Sequence, residues 1–394
     1  MLIIKKLYIE NINNLERIEI CLNKGFNIIC GQNGAGKTTI LNCILASFSK
    51  SKKKIGLLNV NASENHGFWE IDFYRDYEFN SRIHYIHKED EINEFHNIKG
   101  NKLINSKYII SISANNRNMS TQYYGGANFL KQWLYKNYYL SDLNFSKKSN
   151  FSLVRECFSM IDPSISFYKL EEVGDERKSK RNSYTTQNNY NVDLYVANMK
   201  GIININQMSS GYQSVLMILL SLIKKIESID RFGTDVHNFE GILLIDELDL
   251  YLHPEWQKKL VQIIRWLLPN AQIITTTHSP HIIQSANPGE IIPLGIDRNG
   301  RVFIRDLPDS NEYGYQGWTI EEILTDVMGL QETRSEEYKN AIRNFDRALD
   351  NEDSIEAKKS YKRLQSMLHP NSTSLKLLRI QMASLGGFEN DKNR

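Results

Sequence analysis

The chain lacks the features of a secreted or membrane-spanning protein. Its 394 residues include only four cysteines, and these four have no paired spacing: Cys21, Cys30, Cys43 and Cys157. Neither a disulfide framework nor a zinc site is indicated, so we expect reduced thiols. The first residues show no charged start followed by an apolar core, and no apolar run reaches the roughly 18 residues of a membrane span. We therefore expect a cytoplasmic protein without membrane contact.

An excess of charge of one sign is also missing. The 48 lysines and arginines are balanced by 46 acidic residues, giving a net charge of +2. This balance is too even to indicate nucleic-acid binding from bulk electrostatics. Two basic runs, Lys50 to Lys54 and Arg177 to Arg181, could contact the phosphates of DNA or be solvated loops. Heptad repeats sustained over many turns are absent, which excludes a long coiled coil.

A glycine-rich segment with one lysine is the most informative feature. Residues 31–38 read Gly-Gln-Asn-Gly-Ala-Gly-Lys-Thr, which fits the pattern G-x-x-x-x-G-K-[ST]. An apolar run from Phe26 to Cys30 precedes the segment, and a helix-forming stretch from Thr38 to Phe48 follows it. Glycines let backbone N–H groups converge on phosphate oxygens at the positive end of a helix. We therefore expect a phosphate-binding loop in which the contacts come from Asn33, Gly34, Ala35, Gly36, Lys37, Thr38 and Thr39.

Two acidic residues end a second apolar run. Residues 241–245 are of strand character and lead into Asp246 and Glu247. Ligands bind at the carboxyl ends of buried parallel strands, so these acids are expected to face the phosphates. Thr38 and Asp246 would hold Mg²⁺, and Lys37 would contact the β- and γ-phosphate oxygens. Glu247 would polarise an attacking water as the general base.

Two further segments could approach the same anion. One is a turn before the helix candidate Val215 to Ile226, which offers a hydroxyl cap and N–H groups but could equally be an ordinary helix N-cap. That turn consists of Ser209, Ser210 and Gly211. The other is His278, which follows the β-branched strand Gln272 to Thr277. It could sense the γ-phosphate or be a satisfied surface group.

These four motifs, in this order, resemble the ABC-type ATPase fold of the SMC, RecF and overcoming-lysogenization-defect group. The resemblance covers most of residues 1–290. It implies an α/β fold with a mixed sheet around the phosphate-loop helix, flanking antiparallel strands and an inserted helical lobe. We accordingly expect an ABC-type ATPase head over residues 1–310, with the lobe at about 116–205, and a helical C-terminal region over residues 311–394.

The same resemblance implies a reaction and an assembly. It implies Mg²⁺-dependent hydrolysis of ATP to ADP and phosphate, with Lys37, Glu247 and His278 as the catalytic residues. In that group two heads sandwich two ATP molecules, so the chain would form a homodimer in which its serine turn acts on the partner's nucleotide. Residues 248–256 would then lie at the dimer junction. That junction departs from the group at His253, where an aspartate is usual.

A narrower resemblance rests on the segment from Asp246 to Gln257, on Thr-Thr-Thr-His-Ser-Pro at 275–280 and on residues 323–329. In these segments the chain is similar to the PtuA-type ATPases of Septu and retron-associated anti-phage systems. Those ATPases work with an HNH nuclease, and the retron versions also work with a reverse transcriptase and its RNA–DNA product. The resemblance implies an ATPase that controls a nuclease. The alternatives are a RecF-like or SMC-like DNA-repair ATPase and the nucleotide-binding subunit of a transporter.

Periodicity predicts the remaining elements. Strands are expected at 57–79, 108–113 and 168–172, and an Asn-Gly hairpin is expected to join 290–294 to 302–307. Helices are expected at 128–140, 152–161, 318–327, 335–349, 354–368 and 375–383. The polar segment 174–190 is expected to be a loop.

Overall fold

The computed structural model describes residues 2–48, 59–60, 65–87, 94–99, 108–113, 126–139, 145–173, 191–230, 234–308, 311–330 and 334–384. The chain forms two compact units, residues 1–329 and residues 330–394. The basic runs at 50–54 and 177–181 and the predicted loop at 174–190 lie outside the described residues. Among the described helices, none is both long and apolar enough to cross a bilayer.

The first unit contains all the strands of the described chain. They are β1 Leu2–Ile12, β2 Leu15–Cys21, β3 Phe26–Gly31, β4 His66–Arg75, β5 Glu78–His87, β6 Glu94–Lys99, β7 Ile109–Ile112, β8 Ser166–Val173, β9 Asn191–Asn198, β10 Gly201–Asn204, β11 Ile242–Ile245, β12 Gln272–Thr277, β13 Ile291–Ile296 and β14 Val302–Ile304. In β4 the alternating side chains of Trp69, Ile71 and Phe73 are buried, as the period-two pattern predicts.

Six strands form a mixed sheet in the order β14-β13-β3-β12-β11-β7. β14 pairs antiparallel with β13, and the other neighbours pair in parallel. Every residue of β3 and β11 is buried, in agreement with the wholly apolar sequence of β11 and with a β3 in which Asn27 is the one polar residue. The hairpin predicted around Asn299 and Gly300 is confirmed, and it places β14 at one edge of the sheet.

Two antiparallel sheets accompany the mixed sheet. The larger has the order β2-β1-β4-β5-β6, and the smaller has the order β10-β9-β8. Strand β10 leads through a short 3₁₀-helix, Ile205–Gln207, directly to the Ser209 turn. The smaller sheet therefore lies just before the predicted signature turn in the chain.

The helices of the first unit are α1 Lys37–Ser47, α2 Gly126–Tyr138, α3 Phe145–Ile161, α4 Ser210–Glu227, α5 Pro254–Leu267, α6 Pro280–Gln284 and the single turn α7 Ile320–Glu322. Two apolar cores cover the faces of the mixed sheet. In one core Ile40 and Ile44 of α1 pack with Trp69 of β4. In the other core Leu219 of α4 packs with Phe158 of α3. Helix α1 thus lies between the mixed sheet and the antiparallel sheet, where it fixes the phosphate loop.

The helix predicted at 318–327 is confirmed from Ile320 onward, but most of it is not α-helical. Only α7 is α-helical, and Ile323–Val327 is a π-helix in which the Met328 N–H donates to the Ile323 carbonyl at 2.9 Å. A π-turn has the same apolar spacing signal as a short helix, so periodicity does not separate the two. The segment belongs to the compact unit that ends at residue 329. The sequence-based boundary of the ATPase head at 310 remains a proposal.

The second unit is helical. It contains α8 Glu336–Asp350, α9 Ser354–Met367 and α10 Thr373–Ser384, close to the predicted bounds. Its helices bury their own small core, which includes Tyr338, Phe345, Tyr361, Leu364 and Met382.

Candidate ATP site

A cavity of about 400 Å³ joins the predicted motifs in the first unit. Its lining residues are Asn14, Asn33, Gly34, Gly36, Lys37, Thr38, Thr39, Glu247, Thr276 and His278. They come from the loop after β3, the end of β11, the end of β12 and the turn between β1 and β2. The carboxyl ends of neighbouring parallel strands therefore converge on one concave site, the usual place for a ligand in such a sheet.

The loop between β3 and α1 has the conformation of an anion site. Gly36 has a φ of +79° and begins α1 without a side-chain cap, so the first N–H groups of the helix are left for a ligand. A Cβ on Gly36 would lie 2.5 Å from Leu15 Cδ2, and one on Gly31 would lie 2.3 Å from the Leu294 carbonyl oxygen. The glycines at these two positions are therefore required by both backbone and packing.

Lys37 lies against the loop that precedes it. Its ammonium donates to the carbonyls of Gly31 at 3.0 Å and of Gln32 at 2.8 Å. The side chain is buried, and burial lowers the pKa of Lys37 below its usual value. A bound triphosphate would offer this desolvated cation a charged acceptor in place of two neutral ones.

Thr38 lines the cavity and contacts Asp246, which lies behind the lining residues Thr38 and Thr276. The Thr38 hydroxyl lies 3.2 Å from both oxygens of the Asp246 carboxylate. The Thr276 hydroxyl donates to Asp246 Oδ1 at 2.7 Å, which fixes the carboxylate. Hydroxyl and carboxylate oxygens are the hard ligands that Mg²⁺ prefers, so the donor set fits this ion.

Glu247 occupies a strained backbone position. Its φ is +51°, in the left-handed region that non-glycine residues rarely adopt. Its N–H donates to the Thr276 hydroxyl at 2.7 Å, and its side chain lines the cavity. The cost of this conformation is about 1–2 kcal/mol. A carboxylate held here can accept a proton from a water in the cavity.

His278 is fixed by its backbone. Its N–H donates to Asp249 Oδ1 at 3.1 Å, and the neighbouring Thr277 hydroxyl donates to the same oxygen at 2.5 Å. Burial, reinforced by the charge of Lys37, lowers the pKa of His278. The lowered pKa favours the neutral imidazole, which has one donor and one acceptor for a phosphate or a water.

The predicted signature turn lies elsewhere. The Ser209 hydroxyl accepts from the Tyr212 N–H at 3.3 Å and caps α4, as the ordinary N-cap interpretation predicts. Ser209, Ser210 and Gly211 all belong to the described part of the chain and do not line the cavity. Tyr212 is buried and donates its hydroxyl to the Phe158 carbonyl at 3.1 Å. The aromatic ring of Tyr212 is therefore not accessible to a nucleotide base.

Sequence reasoning missed the residues that support the loop from outside the motif. Asn14 lines the cavity and donates to the Gly34 carbonyl, and Asn13 donates to the Thr39 hydroxyl at 3.1 Å. Gln32 donates to the Gly329 carbonyl at 2.7 Å. The Asn-Asn pair between two apolar strands is a turn signal. Nothing in that signal indicates that the turn folds onto the phosphate loop.

Comparison with known proteins decides the family. The chain is 36% identical to the Septu protein PtuA of Bacillus thuringiensis over 414 aligned residues, which cover 98% of this chain and 99% of that protein. The chain belongs to the PtuA family of ATPases. ATP binding is implied by the ATPase domain of this family.

Other comparisons agree with the PtuA assignment. Residues 159–284 match the AAA_21 family, described as "AAA domain, putative AbiEii toxin, Type IV TA system". The Retron Ec83 probable ATPase of Escherichia coli is 26% identical over 155 residues, which cover 38% of this chain and 28% of that protein. The SMC head domain from Thermotoga maritima superposes with a TM-score of 0.50 at 12% identity, covering 78% of this chain and 99% of that domain. At this identity the superposition shows the fold alone, that of an SMC head domain.

Proposed function

We propose that the chain binds ATP with Mg²⁺ in this cavity and that two chains then close on each other. Each chain would place its turn of Ser209, Ser210 and Gly211 on the partner's nucleotide. One observation carries the proposal: the cavity is lined by Lys37, Thr38, Glu247 and His278 but not by that turn. A role for the turn at a nucleotide would therefore require the cavity of a second chain, and the family resemblance is what supports that second copy.

The reaction in this proposal is in-line attack of water on the γ-phosphate. Lys37 exchanges its carbonyl acceptors for phosphate oxygens, and His278 donates to the γ-phosphate. Glu247 takes the proton of the attacking water. Thr38 and Asp246 hold Mg²⁺, which when bound neutralises charge on the phosphate oxygens. The contact of the partner's Ser209 turn stabilises the charge that develops on the transferred group.

The biological role in this proposal is control of a nuclease in anti-phage defence. The support is the identity to a Septu protein over nearly the whole chain and the partial match to a retron ATPase. The partner is expected to be an HNH nuclease, and a reverse transcriptase with its RNA–DNA product would belong to a retron version. ATP binding and hydrolysis would switch the complex between a restrained and an active state, with DNA as the nuclease substrate.

The assembly is tested with Glu247→Gln, which keeps the size of the side chain but removes the base. This variant should bind ATP, hydrolyse it at least about a hundredfold more slowly, and accumulate as a closed dimer detectable by light scattering. Glu312→Gln changes an exposed glutamate outside the cavity and outside residues 248–256; it is the matched control and should behave as the parental chain. Lys37→Ala should lose ATP binding. Parental turnover in Glu247→Gln would overturn the assignment of the base.

The nuclease role is tested by searching the neighbouring genes for an HNH nuclease and co-expressing it with the chain. Cells carrying the pair should resist phage infection, and the Glu247→Gln chain should alter DNA cleavage by the co-purified nuclease. Failure of the chain to bind or affect such a nuclease, despite ATP-driven dimers, would remove the role but keep the ATPase.

A further inference from the structure

The indole of Trp256, in the first turn of α5, is packed against the signature turn. A Cβ on Gly211 would lie 2.4 Å from the indole Nε1, so the ring fills the space that a side chain would need. The Tyr212 ring meets the indole edge to face, with centroids 6.2 Å apart. Lys259 lies 4.8 Å from the indole centroid and donates to the Ile161 carbonyl at 3.2 Å. Trp256 thus fixes the start of α4 against α5 and the end of α3.

Gln257, the next residue, connects to the opposite side of the site. Its buried amide donates to the Leu252 carbonyl at 2.9 Å and accepts from the Ser279 hydroxyl at 2.5 Å. Ser279 directly follows His278, and its N–H donates to the Thr277 hydroxyl at 3.0 Å. Gln257 therefore holds the segment that carries the cavity-lining imidazole.

We infer that Trp256 and Gln257 are positioning residues that couple the two sides of the ATP machinery within one chain. His278 faces the chain's own nucleotide, and the Ser209 turn contacts the partner's nucleotide, a role that rests on the proposed function. Trp256 and Gln257 are adjacent residues in the first turn of α5. In that turn the Trp256 N–H donates to the His253 carbonyl at 2.9 Å. Packed elements of this kind shift between discrete arrangements instead of deforming gradually. Nucleotide binding at His278 therefore moves or tightens the signature turn before the second chain arrives.

The coupling is tested in single chains. Amide hydrogen exchange is measured for the peptide covering 208–216, with and without Mg²⁺ and a non-hydrolysable ATP analogue, at protein concentrations where light scattering finds only monomers. In the parental chain the analogue should change exchange in this peptide by about threefold or more. Trp256→Phe and, separately, Gln257→Asn should lose this change when each variant is saturated with the analogue. The asparagine side chain in Gln257→Asn is too short to reach both the Leu252 carbonyl and the Ser279 hydroxyl. This variant provides the test if Trp256→Phe folds poorly.

Two matched controls lie on the same helix. Trp266→Phe and Gln262→Asn change the same residue types away from the turn and should keep the parental response. The inference is overturned if the parental peptide does not respond, if Trp256→Phe and Gln257→Asn still respond, or if the controls lose the response as well. Because the measurement uses single chains, it gives a result even if two chains never close on ATP. Failure of the coupling and failure of the proposed dimer are therefore distinguishable.

Discussion

At the scale of single residues, the cavity depends on side chains outside the phosphate-loop motif. Asn14 faces the cavity and donates to the Gly34 carbonyl, so it shapes the loop and borders the ligand. Thr276 donates to Asp246 and accepts from the Glu247 N–H. Asn14 and Thr276 are neutral donors that hold the loop and the carboxylates in place. Mutations in them should change the affinity for ATP more than the free energy of unfolding.

Asn14→Asp should weaken ATP binding by about tenfold or more, because it removes the donor to Gly34 and adds a negative charge beside the triphosphate. The dissociation constant of a fluorescent ATP analogue measures the effect. Asn23→Asp is the matched control, since Asn23 is also exposed and donates to a glycine carbonyl, that of Gly289, but does not line the cavity. Equal losses in the two variants would contradict a local role for Asn14.

His84 should make the antiparallel sheet sensitive to acid. It is 2% exposed and stacks on Trp69 with centroids 4.7 Å apart. Burial, with the nearby charge of Arg82, lowers the pKa of His84 to about 3. His84 in the folded chain therefore binds a proton less readily than in the unfolded chain, where it binds one near pH 6.5. Its contribution to stability is complete above that pH and is lost as the pH falls toward 3.

The test is urea unfolding between pH 7 and pH 4.5. His84→Phe keeps an aromatic ring on Trp69 but cannot titrate. Its free energy of unfolding should fall less steeply with decreasing pH than that of the parental chain, by up to about 1.4 kcal/mol per pH unit. The same slope in both proteins would rule out His84 as a source of the acid sensitivity.

At the scale of elements, the sequence predicted best where burial is complete. Strand β12 was predicted with its observed bounds, Gln272–Thr277, because a β-branched run has few alternatives in an α/β protein. The Ser209 turn shows what the sequence cannot predict. Its N-cap follows from local residue types, but the packing of Trp256 onto Gly211 joins residues far apart in the chain. The π-helix at 323–327 and the docking of Asn13 and Asn14 onto the loop depend on tertiary contacts and have no local signal.

A buried carboxylate joins the helices of the lobe to α4. Glu227, at the end of α4, accepts from the Tyr138 hydroxyl at 2.6 Å and from the Asn150 amide at 3.0 Å. Asn150 also donates to the Thr234 carbonyl and accepts from the Val236 N–H, both at 2.9 Å. Because buried polar groups need their partners, this network fixes α2, α3 and α4 relative to one another.

Asn150→Ala should lower the free energy of unfolding by about 2–4 kcal/mol, since it leaves a buried carboxylate and a backbone N–H short of partners. Urea denaturation measures the loss. Asn238→Ala, at an exposed position in the loop after α4, should change the free energy of unfolding by less than about 0.5 kcal/mol. A loss at Asn150 no larger than at Asn238 would show that the network does not contribute to stability.

At the scale of the whole molecule, the cavity belongs entirely to the first unit. Its lining residues extend only to His278, and the second unit buries its own core. The sequence predicted both the ATPase head and the helical C-terminal region from motif order and helical periodicity. The compact unit that contains the cavity continues to Gly329, whose carbonyl accepts from Gln32, and no local sequence signal indicates that contact.

A chain shortened to end at Gly329 should therefore bind ATP within about twofold of the full-length affinity. A chain ending at residue 326 is the comparison. It lacks the carbonyl that accepts from Gln32 and the buried side chains of Val327 and Met328, so it should bind more weakly and melt at a lower temperature. Tenfold weaker binding by the chain ending at Gly329 would instead indicate that the second unit contributes to the site.

The hydrogen bonds that hold the phosphate loop in place also determine the thermodynamics of nucleotide binding. In the free chain Asn14 and Lys37 already donate to carbonyls of the loop, and Gln32 of the loop donates to the Gly329 carbonyl. The incoming triphosphate consequently meets a preorganised backbone and need not order a disordered one, so little conformational entropy is lost there. Calorimetry should give an ATP-binding heat capacity change too small for coupled folding of the loop.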